Sequence, residues 1–291
     1  MVFFVNLGMQ RGIGILLLML LCYISPARAA GVYTEWGKAM QEKENVRVLR
    51  MSFANLDSLP DVFDQFPNLE EVYFNNNRIT VIPPSLFNCK KLKKINFLRN
   101  RLRVVPEAIG RLQELKELSL SYNNIEKLPD SIGYLPSLQE LNLTDNKIER
   151  VPTSIGQLQQ LKKLRLGYNR IDSLPEEITY LENLTYLDLS NNLLSLLPER
   201  IGDLQNLHFL YIQYNELASI PSSLGRCLHL QELDAAFCGA FRLPDSLANI
   251  QKLEVVYIDD HTEPFYQNPR YVYRQHIIVV GRGEDVYRSS Q

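Results

Sequence analysis

The residues with the most chemical reach in this chain are its rings and acids, because the usual catalytic groups are not arranged for catalysis. His208, His229, His261 and His276 show no ligand spacing, and His208 and His229 fall at variable, solvent-facing positions. No phosphate-loop pattern, GxSxG or HExxH occurs, and Gly281-Arg282-Gly283 is too short for a dinucleotide motif. The chain is therefore read as a non-enzyme with no metal and no cofactor. The chemistry left to it is recognition. Tyr168, Tyr186, Phe209, Tyr211, Tyr214, Phe237 and Tyr257 crowd into one stretch, with Asp188, Asp234, Asp259 and Asp260 among them. Tyrosine gives a large contact area at low entropic cost, so exposed rings of this kind anchor interfaces. Interspersed carboxylates favour a basic or hydroxyl-rich ligand. The competing reading is structural, since aromatic residues also pack well between neighbouring strands.

What positions these side chains is a repeat. Pro60, Pro83, Pro106, Pro129, Pro152, Pro175, Pro198, Pro221 and Pro244 recur every 23 residues. A fixed period of this length marks a stacked repeat architecture. The unit from Leu161 shows the frame, with apolar residues at Leu161, Leu164, Leu166, Ile171, Leu174, Ile178 and Leu181, and with Asn169 and Pro175 between them. Positions 3 to 6 alternate polar and apolar, which predicts a short strand with one buried face. One such strand cannot hide that face alone, so successive coils must stack, forming a parallel sheet with right-handed returns. Proline closes the strand-like segment, and Gly110, Gly133, Gly156, Gly202 and Gly225 are expected to supply backbone freedom to the coil. The column Asn77, Asn100, Asn123, Asn146, Asn169, Asn192 and Asn215 is expected to satisfy backbone groups of its own coil and the adjacent one. Ala54 and Cys238 interrupt the column at the two terminal units.

This frame, LxxLxLxxNxLxxLPxxIGxL, resembles the typical 23-residue subclass of the leucine-rich repeat family. It runs from 46 to 252 as nine units, 207 of the 291 residues. The resemblance implies an α/β fold, a right-handed leucine-rich repeat solenoid. A curved parallel β-sheet would line the concave face, with short helical or 3-10 turns on the convex face. It also implies binding of other proteins, as family members mostly do, and a likeness to exported bacterial members. In stacked coils equal positions form ladders, and positions 3, 5, 7 and 8 are expected on strands facing the concave side. The expected binding surface is therefore the concave face of repeats 6–10, with Tyr168, Tyr186, Asp188, Phe209, Tyr211, Tyr214, Asp234, Phe237 and Tyr257 as partner-binding residues. The partner is a protein ligand; a cell-surface carbohydrate-binding or adhesion role is the alternative, with a glycan on the same cluster.

The ends differ from the frame. In residues 1–29, Arg11 precedes an apolar run from Ile13 to Leu21 and the small-x-small sequence Ala27-Arg28-Ala29. That order reads as a signal peptide cleaved near Ala29, giving a secreted, periplasmic or cell-surface protein; a retained anchor is the competing reading. Residues 30–45 read as a helical cap with Thr34 as N-cap and Trp36 over the open core. Residues 253–291 read as a partial tenth repeat and a C-terminal cap with one or two strands, loose from about Gly283. Net charge is −2 for the whole chain, and no basic stripe suggests nucleic acid. Cys89, Cys227 and Cys238 read as buried free thiols, a Cys227–Cys238 bridge being the lesser alternative.

Overall fold

A computed structural model describes residues 31–264, 276–281 and 284–288; the expected signal peptide lies outside these residues. One sheet contains every strand among the described residues, ordered as in the sequence. Strand β1 (Val32–Tyr33) precedes helix α1 (Trp36–Gln41). The repeat strands follow: β2 (Val48–Arg50), β3 (Glu71–Tyr73), β4 (Lys94–Asn96), β5 (Glu117–Ser119), β6 (Glu140–Asn142), β7 (Lys163–Arg165), β8 (Tyr186–Asp188), β9 (Phe209–Tyr211) and β10 (Glu232–Asp234). After β11 (Val255–Ile258) come β12 (His276–Gly281) and β13 (Glu284–Arg288). Neighbours from β1 to β12 pair in parallel, and the repeats keep one register, as in Leu118↔Leu141 and Leu141↔Leu164. β13 pairs antiparallel to β12, so Glu284–Arg288 form a strand and are not the loose end expected from sequence.

The periodicity explains the solenoid. In each repeat strand the middle residue is buried and its neighbours are more exposed. Leu161, Leu164, Leu166, Ile171, Ile178 and Leu181 have no exposed surface and join one apolar core running the length of the repeats. Each repeat proline from Pro83 to Pro175, together with Pro221 and Pro244, caps a 3-10 turn of five residues at φ between −58° and −73°. Its ring fixes the entry angle and its carbonyl accepts the first turn bond, as from Ile155 N–H to Pro152 at 3.0 Å. No described helix is long and apolar enough to cross a membrane.

The asparagine column behaves as expected. Asn146 Nδ2 donates to the carbonyls of Leu143 in its own coil and Leu120 in the preceding one, and its Oδ1 accepts Ile125 N–H, each at 3.0 Å. The same bonds recur from Asn100 to Asn192. At the ninth unit the Cys238 thiol donates to Ile212 at 2.8 Å in place of the amide. It cannot supply the carboxamide acceptor that Leu194 N–H finds on Asn215. One coil further on, buried Asp259 takes over. Its carboxylate accepts Phe237 N–H at 2.5 Å, His261 N–H and the Thr262 hydroxyl. Asp259 is thus structural and not part of the ring cluster.

Two readings of small residues need correction. Thr34 does not cap α1: Glu35 is the N-cap, and no side chain bonds there. Trp36 instead anchors this end by packing on Phe63, Phe66 and Phe74, with ring centroids 5.6, 6.3 and 6.3 Å away. The 3-10 glycines are not at positive φ, so backbone freedom is not their reason. A Cβ on Gly133 would meet Ser154 O at 2.2 Å, and one on Gly202 would meet Ser223 O at 1.9 Å. They let adjacent coils approach. Gly202→Ala should therefore destabilise the protein by about 1–3 kcal/mol, the range for overpacking. Gly37→Ala, where a Cβ meets nothing within 4 Å, should not; urea unfolding of both variants checks this.

All three described cysteines are free and buried, which leaves no Cys227–Cys238 bridge. Burial pushes each thiol up to about 12.

Candidate functional site: the sheet face and its rim

The strands place one ladder of side chains and the turns after them place another. Strand residues at the first and third positions alternate with the buried middle residue and face away from the core. Tyr186 lies beside Phe209 and Asp188 beside Tyr211. Glu232 and Asp234 then lie beside Phe209 and Tyr211, and Tyr257 beside Asp234. The rings meet: Tyr186 is 6.2 Å from Phe209 and 5.3 Å from Tyr211.

The eighth position of each repeat is not in a strand, contrary to the sequence expectation. Phe53, Asn76, Arg99, Tyr122, Asp145, Tyr168, Asn191, Tyr214 and Phe237 all have φ between 53° and 59°. This left-handed conformation suits Asn and Asp, and costs a bulky side chain about 1–2 kcal/mol. Tyr168 and Tyr214 are nonetheless 57% and 51% exposed. Tyr214 stacks on Phe237 at 4.9 Å and 24°. The expected site residues thus divide into a face group (Tyr186, Asp188, Phe209, Tyr211, Asp234, Tyr257) and a rim group (Tyr168, Tyr214, Phe237). Within these groups, described ring contacts join Tyr186, Phe209 and Tyr211, and separately Tyr214 and Phe237.

Two members of the face group escaped the sequence reading. Glu232 lies close enough to Tyr211 for its carboxylate to help hold the hydroxyl above its usual value. Arg165 lies over the Tyr186 ring, its guanidinium carbon 4.8 Å from the centroid. Equal-position ladders point to Glu232, which sits beside Phe209.

The electrostatics are uneven. Asp188 accepts the N–H and hydroxyl of Ser190, and Asp234 accepts Ala236 N–H at 3.1 Å, so each carboxylate ties down its own turn. No cation forms an ion pair with Asp188, Glu232 or Asp234 among the described residues. Burial, with the nearby Glu232 charge adding to it and the Ala236 bond opposing, pushes Asp234 up to about 6. Burial, then the Glu232 carboxylate, holds the Tyr211 hydroxyl well above its usual value. Burial and then Asp188 raise Tyr186, with Arg165 opposing.

A raised carboxyl prefers its neutral form in the folded state. Its stabilising contribution is complete below the ordinary 3.8 and is lost as pH rises through about 6. Asp234→Asn keeps an acceptor for Ala236 N–H and removes the charge. It should raise the melting temperature at pH 7.5, by at most about 3 kcal/mol of stability, and bring no gain at pH 4. Thermal scans at both pH values decide the sign.

With this geometry in place, similarity to known proteins follows the repeat. The leucine-rich repeat region matches residues 106–185 and 164–267, and the leucine rich repeat matches residues 67–125. The chain belongs to the leucine-rich repeat family. These are repeat families, and neither names a catalytic activity. A comparison with curated proteins finds no match. Among solved structures the chain is similar to a leucine-rich repeat protein of Leptospira interrogans, with 27% identity over 86% of this chain and 71% of that one, and a TM-score of 0.69. It is also similar to the plant peptide hormone receptor RGFR1 solved in complex with RGF2, at 26% identity and TM-score 0.67. That match covers 74% of this chain but 37% of the receptor. An internalin from Listeria monocytogenes shares the fold, at 20% identity over 84% of this chain and 72% of that one, with a TM-score of 0.73.

Proposed function

We propose that the chain is an exported binding module whose concave sheet face, in its C-terminal repeats, takes up a protein ligand. The observation that carries this reading is the exposure of the rim rings. Ladder packing along the strands does not account for Tyr168 and Tyr214, whose rings stand outside the strands and remain 57% and 51% exposed. Exposed rings beside a ladder of further rings make a surface suited to contact. The face group adds Tyr186, Phe209 and Tyr211 as flat anchors. The plant receptor solved with RGF2 supports a protein or peptide partner. Export rests on the order of charge, apolar run and small residues in 1–29.

A pull-down run beside a glycan array tests the class of partner. A protein retained by the wild-type chain, with no glycan signal above background, is the expected result. Strong glycan hits would move the same ring cluster to an adhesion role.

A further inference from the structure

We infer that the C-terminal sheet face receives an arginine side chain of an extended partner segment, its guanidinium lying over Tyr211 and reaching Glu232 and Asp234. This rests on the concave-face reading above and specifies its partner.

The chain supplies its own template. Three tyrosines of the strands and the turns after them take an arginine from the preceding repeat. Arg50 lies over Tyr73 at 4.7 Å, Arg99 over Tyr122 at 5.0 Å and Arg165 over Tyr186 at 4.8 Å. Each pair joins residues of adjacent coils. At Tyr211, as at Tyr168 and Tyr214, no such arginine is described. The residue beside Tyr211 on β8 is Asp188, and no described cation lies over the Tyr211 ring. An arginine is replaced by an aspartate at the coil where the face turns from mixed charge to acid.

The surroundings fit a guanidinium better than an ammonium. Tyr186 and Tyr211, 5.3 Å apart and 48° from coplanar, offer a shelf of ring surface. Glu232 and Asp234 occupy alternate positions of β10 and so face the same way, flanking Phe209 and Tyr211. A planar, weakly hydrated guanidinium stacks on a ring and donates in its own plane to carboxylates at once; a lysine ammonium does one or the other. Charge complementarity agrees. Strands β8, β9 and β10 present Asp188, Glu232 and Asp234 with no lysine or arginine, whereas β4 and β7 carry Lys94, Lys163 and Arg165, of which Lys94 and Lys163 are paired with Glu117 and Glu140. The half-buried Asp234, pushed up by burial and by Glu232, is the group that a bound cation would relieve.

Peptide display against the full chain tests the inference, with random twelve-residue peptides as the probe. Enriched sequences should carry an arginine; replacing it with lysine should weaken binding about tenfold, and with glutamine more. Glu232→Gln with Asp234→Asn should erase the preference for arginine over glutamine. Both replacements keep the side-chain shape, and circular dichroism confirms folding. Selection that enriches no arginine-bearing sequence overturns the inference, as does an arginine whose replacement changes nothing. If such peptides lose affinity on Tyr211→Ala with Tyr214→Ala, the concave surface stands while the arginine fails. Peptides that bind that double variant unchanged remove the surface itself.

Discussion

Asn146→Ala should be among the most damaging single changes in the protein, lowering stability by about 2–4 kcal/mol. Alanine removes both donors to the Leu120 and Leu143 carbonyls and the acceptor for Ile125 N–H. These groups lie in the sealed interior between coils, where a lost partner costs about 1–3 kcal/mol because no water replaces it. Asn146→Asp sharpens the expectation. It is nearly isosteric and keeps the acceptor, yet it turns both donors into acceptors facing two carbonyls. It should be at least as destabilising at neutral pH. Repeat stability is a sum of intrinsic and nearest-neighbour parts, so the damage should be felt first at the junctions with the coils of β5 and β7. Urea unfolding gives the total, and hydrogen exchange at Ile125 and Ile148 gives the location. Wild-type stability in Asn146→Ala would mean the column is ornamental.

Tyr211→Ala together with Tyr214→Ala should raise the Kd for a captured protein partner by about a hundredfold, or about 3 kcal/mol. One variant removes a face anchor and the other a rim anchor, so the pair spans both groups. Their stability effects should be small beside the binding effect. Tyr211 is half-buried and its truncation costs some packing. Tyr214 is 51% exposed in a left-handed backbone, so its loss costs little, and Tyr214→Asn should gain up to about 1 kcal/mol by suiting the conformation. A surface kept for stability would show both measurements falling together. Isothermal titration of the double variant, beside thermal unfolding of each single one, separates them.

Much of this was legible in residue types alone. The 23-residue recurrence of proline, asparagine and leucine specified the coil, its short strand and its inward amide, because each is a strong local constraint that repetition multiplies. What escaped detection depends on the approach of one coil to the next. The glycines of the turns read as flexible but serve as gaps for Ser154 O and Ser223 O. Position 8 is outward although strand alternation would bury it, because the chain there has already turned. Strand β1 has two residues, Val32 and Tyr33, too few for any periodic signal, and exists because Arg47 and Val48 N–H need Gly31 O. Arg165 and Glu232 joined the ring cluster through register, which ties them to side chains about 20 residues away.

The most direct measurement places a photo-crosslinking residue at position 211 on the sheet face, and in a second protein at position 134, an exposed tyrosine of a 3-10 turn. In the environment where the protein acts, position 211 should form a discrete protein adduct and position 134 should not. Adducts from position 134 alone would contradict the account and move the interface to the turns.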